Sequence, residues 1–239
     1  MPEAIHSKSS VEAERETGGG SLSAFSEGLI TVSDPAAAAA EAYRTLRTSL
    51  SYAVHPPPKM ILVTSPGSAE GKSTVCANLG VVLAQAGRRT LILDCDFRRA
   101  TLHKIFGLVN TRGLVDCIVA KHSIQELYQE PVSGLDLTVL PAGDLPPNPS
   151  EVLDSWHLSQ LLVEVREEFD YVLLDSPPLG LVTDPAILAT QADGVLLILD
   201  AQKTSMEAVR QATRRLRDVG ATIIGTVTNN TQTSSAYSC

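Results

Sequence analysis

Long hydrophobic runs are missing from this sequence. No stretch approaches eighteen uninterrupted apolar residues, whereas a helix that spans a bilayer needs about twenty. The N-terminal segment MPEAIHSKSSVEAERETGGGS also has none of the apolar core that defines a secretory signal peptide. We therefore expect a cytoplasmic chain without direct membrane insertion.

Positive charge is scarce as well. The 239 residues include 19 Lys and Arg against 27 Asp and Glu, which gives a formal net charge of −8 at pH 7. The basic residues are spread along the chain, whereas binding to nucleic acid or to an anionic bilayer depends on basic clusters. We expect no nucleic acid partner.

Cysteine is rare, with four residues in the chain. Their positions show none of the paired spacings of a disulfide framework or a zinc site. We expect Cys239 to be an exposed thiol and the others to be small core residues, because they lie in apolar contexts: Cys76, Cys95 and Cys117.

Composition divides the chain into three parts. Residues 1–28 are rich in Ser, Gly and Glu and hold few large apolar side chains, which predicts a disordered arm. Residues 29–229 are predicted to form one domain, and residues 230–239 a flexible tail. The domain is expected to open with a helix over residues 34–53, in which Asp34 is the N-cap and Pro35 stands in the first turn.

Six apolar runs of strand length alternate with helical patterns. They are nearly continuous and not alternating, which is typical of strands covered on both faces. This order predicts an α/β fold with a doubly wound, mostly parallel sheet. Ser150 is expected to cap a single helix over residues 151–169. The runs are MILVT, RTLILD, LDLTVL, YVLLD, GVLLIL and TIIGTV.

The stretch TSPGSAEGKST lies between the first of these runs and a helical pattern. In a strand, glycine-containing loop and helix, backbone N–H groups and the positive helix end face one concavity that suits phosphate. Lys72 can reach the terminal phosphates, and the Ser73 hydroxyl is placed to bind Mg²⁺. Pro66 departs from the strict pattern, which has glycine there. The predicted nucleotide-contacting residues are Gly67, Ser68, Ala69, Glu70, Gly71, Lys72, Ser73 and Thr74.

Acidic residues end two other predicted strands. Asp94 and Asp96 follow TLIL, and Asp175 follows YVLL. Ligands of open parallel sheets bind at the carboxyl ends of the strands, so these acids should converge on the mouth of the phosphate loop. Mg²⁺ prefers hard oxygen ligands, which makes Ser73, Asp94 and Asp175 the predicted metal ligands.

Several spaced motifs together resemble one family. The phosphate loop, LILDCDFRRATLHKIFG, PAGDLPPNPSEVLDS, DYVLLDSPP and EAYRTLRTSL are similar to the cytoplasmic domain of bacterial tyrosine kinases of capsule and exopolysaccharide export. The resemblance runs from about Ile30 to Asn229. It implies a P-loop NTPase fold with an N-terminal helix, and an ATP-dependent and Mg²⁺-dependent protein-tyrosine kinase that regulates polysaccharide synthesis and export.

The resemblance also implies roles for individual residues. Lys72, Asp94 and Asp96 stand at the catalytic positions, and Asp175 at the Walker B acid. One acid of the Asp94 and Asp96 pair is implied to orient or deprotonate the incoming tyrosine hydroxyl, and the other to serve the metal. Which of the two does which stays open. Arg98 is a candidate for binding phosphate or phosphotyrosine, and a surface loop position is its alternative.

The assembly that the resemblance implies is a ring of subunits. Glu41, Arg44 and Arg47 match the family's interface helix, although intrahelical i,i+3 pairing is their ordinary interpretation. A C-terminal tyrosine is implied to be phosphorylated by a neighbouring subunit. A separate transmembrane polysaccharide co-polymerase is implied to activate the kinase and to recruit it to the inner face of the cell membrane.

The tail departs from the family's pattern. NNTQTSSAYSC offers a single acceptor, Tyr237, where the family has a tyrosine cluster. Two alternatives therefore stay open: a nucleotide switch of the partitioning or cell-division type, whose members carry a lysine at the position of Gly67, and a scaffold without kinase activity. The Asn229-Asn230 pair favours a turn over an adenine contact.

Overall fold

The structure, a computed structural model, describes residues 28–52 and 55–231. Residues 1–27 of the predicted arm lie outside the described residues. The tail from residue 232 onward, including Tyr237 and Cys239, lies outside them too.

Six strands form one parallel sheet, as predicted. The order is β3-β2-β4-β1-β5-β6, so β1 lies at the centre, between β4 and β5. Each strand is nearly or fully buried except β6 at the edge, which is why the apolar runs are continuous. The strands are β1 (Met60–Thr64), β2 (Thr90–Asp94), β3 (Leu137–Leu140), β4 (Tyr171–Asp175), β5 (Gly194–Asp200) and β6 (Ile223–Asn229).

Helices cover both faces of the sheet. The first four helices and the last five pack around separate apolar clusters, one on each face. None of the helices in the described ranges is long and apolar enough to cross a membrane. They are α1 (Ile30–Ser33), α2 (Ala38–Tyr52), α3 (Lys72–Gln85), α4 (Leu102–Phe106), α5 (Leu114–Val119), α6 (Pro149–Leu153), α7 (Trp156–Glu168), α8 (Asp184–Ala189) and α9 (Met206–Asp218); a 3₁₀ helix spans Ile124–Leu127.

The N-terminal helix differs from the prediction. It begins at Ala38 instead of residue 34, because Asp34 ends the short helix α1 by donating its N–H to the carbonyl of Ile30. Helix α1 docks on α3 through buried Asn78, whose side-chain oxygen accepts from the N–H and the hydroxyl of Thr31, at 3.0 and 2.8 Å. These contacts join residues 47 positions apart, so local sequence does not reveal them.

The helix predicted over residues 151–169 is also two helices. Helix α6 ends at Leu153, and Ser155 caps α7 by accepting the N–H of Leu158. Ser150 does not cap a helix; it lies inside α6, and its hydroxyl donates to Asp184. The serine that follows Asp154 supplies a better N-cap, because its extended backbone leaves its side chain free to reach the first turn.

Candidate active site

The phosphate loop joins β1 to α3 at the centre of the sheet. Gly71 precedes the helix with φ +89°, a left-handed conformation that favours glycine. No side chain caps α3 in the structure described. The N–H groups of the first turn are therefore available to an anion, and the helix dipole favours negative charge there.

Glu70 holds the loop in shape from within. Its buried carboxylate accepts the N–H of Gly67 at 2.9 Å and the hydroxyl of Thr204. The side-chain amide of Asn229 donates to the backbone carbonyl of Glu70 at 3.2 Å, and a Cβ on Gly71 would lie 2.1 Å from that amide nitrogen. The predicted turn residue Asn229 is thus a support of the phosphate loop, which sequence reasoning missed together with Thr204.

Lys72 connects the loop to the acids. Its Nζ lies 3.0 Å from Asp96 Oδ2, 3.2 Å from Ser73 Oγ and 4.0 Å from Asp175 Oδ1. Burial lowers the pKa of Lys72, but the charges of Asp175, Asp96 and Asp94 outweigh it and raise that pKa above its ordinary value. Lys72 is therefore a buried cation at neutral pH.

The three predicted acids come together, as the sequence suggested. Asp94 and Asp175 are directly paired positions of neighbouring strands β2 and β4. The oxygens of Asp94 accept backbone N–H groups of Asp96, Thr101 and Leu102, at 3.1–3.2 Å. Burial, reinforced by the charge of Asp175, raises the pKa of Asp94 to about 8. Asp94 thus fixes the segment that follows β2.

Asp96 and Asp175 are placed differently. Asp96 Oδ2 pairs with Lys72, and its Oδ1 accepts the N–H groups of Arg98 and Arg99. Both carboxylate oxygens of Asp175 are buried and have no hydrogen-bond partner within the described residues. Burial raises the pKa of Asp175, and the charge of Lys72 opposes that rise. Lys72 supplies a counter-charge from 4.0 Å without a hydrogen bond, so the Asp175 oxygens keep lone pairs for a metal ion.

These donors fit a magnesium ion. The described residues contain no preformed group of three His, Cys, Asp or Glu side chains that could hold a metal. Mg²⁺, however, is usually held by one or two carboxylates together with substrate phosphates and water. The unpartnered oxygens of Asp175 and the adjacent Ser73 hydroxyl, which lies beside Lys72, supply that kind of set.

A cavity of about 640 Å³ opens over these groups. It is lined by the phosphate loop, by Asp96 and Arg98, and by the turn after β4, which includes Leu181. A second cavity, of about 620 Å³, lies under α2 at the opposite ends of the strands. The first is lined by the phosphate loop and Asp96, and it is the size of a small-molecule site.

The raised pKa of Asp94 predicts a pH effect on stability in the absence of metal and nucleotide. Between its ordinary pKa of 3.8 and the folded value of about 8, the folded state binds the extra proton, so stability falls as pH rises through this window. Asp94→Asn removes this loss. We expect urea unfolding to show the variant gaining about 3–4 kcal/mol of unfolding free energy relative to wild type between pH 5 and pH 8.

The exposed Asp144→Asn variant is the control for that measurement, since Asp144 is outside the site. Its unfolding free energy should follow the wild-type pH dependence. Parallel curves for Asp94→Asn and wild type would contradict the account of Asp94.

The other predicted positions lie elsewhere. Glu41 and Arg44 form an exposed i,i+3 pair at 2.7 Å, and Arg44 also donates to the carbonyl of Pro35. Arg47 donates to the carbonyl of Val82 in α3, at 3.0 Å. All three belong to α2, away from the cavity over the phosphate loop. Tyr237 falls outside the described residues, so its relation to the site stays a prediction.

Comparison with known proteins finds relatives that cover most of this chain. A family model described as an AAA domain matches residues 59–229. The tyrosine-protein kinase YwqD of Bacillus subtilis is 36% identical over 207 residues, which cover 86% of this chain and 87% of that protein. Among relatives that are longer, the tyrosine-protein kinase wzc of Salmonella typhi is 33% identical and covered over 28% of its length.

Several solved structures are similar to this chain as well. The chimerical protein CapA2B2 superposes with a TM-score of 0.82 at 31% identity, covering 85% of this chain and 90% of that one. The kinase domain of the Escherichia coli tyrosine kinase ETK gives 0.80 at 30% identity, covering 88% and 84%. The septum site-determining protein MinD of Pyrococcus horikoshii, complexed with Mg-ADP, gives 0.62 at 22% identity over 74% of this chain and 72% of that one. That last likeness is one of fold.

Proposed function

The chain belongs to the bacterial tyrosine-protein kinases, and from this premise we propose that it transfers the γ-phosphoryl group of ATP to Tyr237 of a neighbouring copy. It is a tyrosine-protein kinase with a nucleotide-binding P-loop fold. The acceptor, the direction of transfer and the residues that carry it are what the proposal adds.

One observation supports the proposal most strongly. Lys72, Asp96 and Asp175 come from three separate segments, yet the Lys72 ammonium is within 4.0 Å of both carboxylates. They lie at the carboxyl ends of β1, β2 and β4, beside a helix N-terminus whose N–H groups have no side-chain cap in the described structure. Phosphoryl transfer depends mainly on positioning and charge neutralisation, which this arrangement supplies.

Each group has a defined task in the proposal. The N–H groups of residues 68–74 and the Lys72 ammonium bind the phosphates of ATP, while Gly67 lines the loop with its own N–H engaged by Glu70. Ser73 and Asp175 would hold Mg²⁺, and Asp94 or Asp96 would support it. When bound, the metal neutralises charge that develops on the phosphates. Glu70 contacts the nucleotide only through its backbone, because its carboxylate is engaged inside the loop.

The transfer itself forms one bond and breaks one. The phenolic oxygen of Tyr237 bonds to the γ-phosphorus, and the bond from that phosphorus to the bridging oxygen breaks, so that ADP leaves with the electron pair. The phenolic proton passes to a carboxylate of the Asp94 and Asp96 pair. Lys72 keeps its proton throughout, since neighbouring acids raise its pKa.

Assembly and location complete the proposal. The side chain of Glu41 in α2 is 68% exposed and pairs with Arg44. This exposed face of α2 is the proposed ring interface, which the family resemblance implies. Arg47 contributes by fixing α2 on α3. A transmembrane polysaccharide co-polymerase is the proposed activator, which would recruit the kinase to the cytoplasmic face of the membrane for capsule or exopolysaccharide export.

The partitioning or cell-division switch is the weaker alternative. Its solved representative shares the fold at 22% identity, and the loop has Gly67 where those ATPases carry a lysine. No contact among the described residues favours a scaffold without activity.

A mixing experiment tests transfer between copies. Lys72→Met keeps Tyr237 but lacks the transfer lysine, and Tyr237→Phe keeps the lysine but lacks the acceptor. We expect neither variant alone to gain phosphotyrosine from ATP and Mg²⁺, and the mixture to label the Lys72→Met chain, identified by a size tag. Label on Tyr237→Phe, or an unlabelled mixture beside a labelled wild type, would contradict transfer to Tyr237 in trans.

A further inference from the structure

Asp184, the first residue of α8, lies in a network of side-chain hydrogen bonds outside the groups already described. Its carboxylate is fully buried. Arg98 donates two hydrogen bonds to it, from Nε to Oδ2 at 2.7 Å and from Nη2 to Oδ1 at 3.0 Å. Ser150 donates its hydroxyl to Oδ1 at 2.6 Å and accepts from Arg98 Nη2 at 3.1 Å.

Asp184 is ionised in this network. Burial raises its pKa, but the hydrogen bonds from Arg98 and Ser150 and the charge of Arg98 together bring that pKa below its ordinary value. A two-pronged bond between guanidinium and carboxylate fixes the plane of the guanidinium as well as its position. The orientation of Arg98 is therefore set by a residue 86 positions away.

The network lies on the wall of the active-site cavity. Arg98 follows Asp96 by two residues and lines the cavity together with Lys72. Ser150 and Asp184 come from the segments that follow β3 and β4, the neighbours of β2 in the sheet. Segments that follow three adjacent strands thus meet at one guanidinium, which lines the same cavity as the phosphate loop.

Part of that guanidinium remains available. The Arg98 side chain is 41% exposed, and within the described ranges its Nη1 donates no hydrogen bond, whereas Nε and Nη2 are engaged. Two N–H bonds therefore remain for a ligand. A guanidinium suits phosphate oxygens because its donors are held in a rigid plane.

We propose that Asp184 is a positioning residue for phosphoryl transfer. Together with Ser150, it holds Arg98 so that Nη1 donates a hydrogen bond to the γ-phosphoryl group during the transfer. This inference rests on the proposed function and extends it to three residues. Arg98 makes and breaks no covalent bond and keeps its proton, while the γ-phosphoryl group leaves ADP for the acceptor oxygen as described above.

In the competing interpretation, the network of Arg98, Asp184 and Ser150 is a structural clamp that only stabilises the fold. Buried ion pairs often contribute little net stability, because desolvation opposes the attraction, yet removing one partner leaves an uncompensated charge. A clamp would affect unfolding and nucleotide binding. A positioning residue affects the rate at saturating ATP, so the two interpretations predict different kinetic parameters.

The first test uses Asp184→Asn and Ser150→Ala in the full chain, with ATP consumption, ADP affinity in Mg²⁺ and the unfolding midpoint measured for each. We expect kcat to fall about 30-fold for Asp184→Asn and about threefold for Ser150→Ala, with ADP affinity within about threefold of wild type. The matched control is Asp193→Asn, which removes a half-buried pair with Arg166 away from the cavity. It should lower the unfolding midpoint and leave kcat unchanged.

Chemical rescue is the second test, and its main measurement uses a variant in which Asp184 is intact. Arg98→Ala leaves Asp184 facing an empty space of guanidinium size. Guanidinium ion at about 20 mM is expected to restore its kcat about tenfold, because the carboxylate rebinds a planar donor fork. The double variant Arg98→Ala/Asp184→Asn should show no rescue.

The outcomes separate this inference from the proposed function. Equal kcat for Asp184→Asn and Asp193→Asn, or a loss confined to ADP affinity, overturns the inference, as does absent rescue of Arg98→Ala. Because ATP hydrolysis passes the same phosphoryl group to water, these rates test Arg98 without an acceptor. A wild type that hydrolyses ATP but forms no phosphotyrosine contradicts the proposed function alone.

Discussion

Lys72→Met is expected to lower the rate of phosphoryl transfer by about 10³-fold or more. The lysine is the buried cation that contacts Asp96 and lies 4.0 Å from Asp175, and methionine matches its length without its charge. The γ-phosphate would lose its nearest protein cation just as negative charge shifts during the transfer. ATP consumption and phosphotyrosine formation, measured at saturating ATP, should both disappear.

Stability must be followed alongside this rate. Without Lys72, the buried carboxylates of Asp96 and Asp175 lose their counter-charge and will take up protons or destabilise the fold. Lys59→Met is the control, since Lys59 stands at the opposite end of β1, beside the second cavity. It should retain the wild-type rate. A Lys72→Met protein that stays folded and works within about threefold of wild type would refute the proposed role of the lysine.

Tyr237→Phe is expected to remove all detectable phosphotyrosine while ATP hydrolysis continues, because hydrolysis needs no phenol. Three of the four remaining tyrosines are poor acceptors. Tyr171 is 8% exposed at the start of β4. Burial raises the pKa of Tyr43 and of Tyr128, and the Tyr128 hydroxyl also donates to a glutamate.

Tyr52 supplies the matched control. It ends α2 and is 74% exposed, so exposure alone would make it an acceptor. It lies beside the second cavity, away from the phosphate loop. Tyr52→Phe is therefore expected to keep the wild-type level of phosphotyrosine, measured by mass spectrometry of the intact chain. Loss of label in Tyr52→Phe, with label kept in Tyr237→Phe, would reassign the acceptor.

The sheet was largely predictable from the sequence. Strands β1 and β4 begin and end at the predicted residues; β2, β3 and β5 differ by one or two residues at one end, and β6 differs at both ends. A strand buried on both faces needs apolar side chains throughout, so its sequence marks it directly. Edge strand β6 continues to Asn229 because its backbone pairs with β5 as far as Asp200, a contact that hydrophobicity does not encode.

The boundaries of the helices were harder to predict from the sequence. Helix α1 depends on Asn78, which is 47 residues from its partner Thr31, and the break after α6 depends on a cap that Ser150 and Ser155 could each have supplied. Both serines satisfy the same local pattern. The buried Asp184 decides between them, since it takes the hydroxyl of Ser150, and its distance along the chain hides that choice.

The candidate site shows the same contrast. That Lys72, Asp94, Asp96 and Asp175 lie close together could be predicted, because they follow a glycine or stand at the end of a strand or just beyond it, and topology brings such positions together. The supporting contacts of Glu70 could not be predicted, because its partners Thr204 and Asn229 lie 134 and 159 positions away along the chain. Asp184 gave no signal of its own, since an acid at a helix start is an ordinary feature.

The central claim is that Lys72 and the acids hold one magnesium-bound nucleotide, and calorimetric titration with a non-hydrolysable ATP analogue tests it most directly. Wild type should bind one equivalent in Mg²⁺ and bind about tenfold more weakly in EDTA. In Asp175→Asn, this difference should shrink to about twofold, because the unpartnered carboxylate is gone. No saturation in Mg²⁺, or an unchanged effect of Mg²⁺ in the variant, would contradict the account.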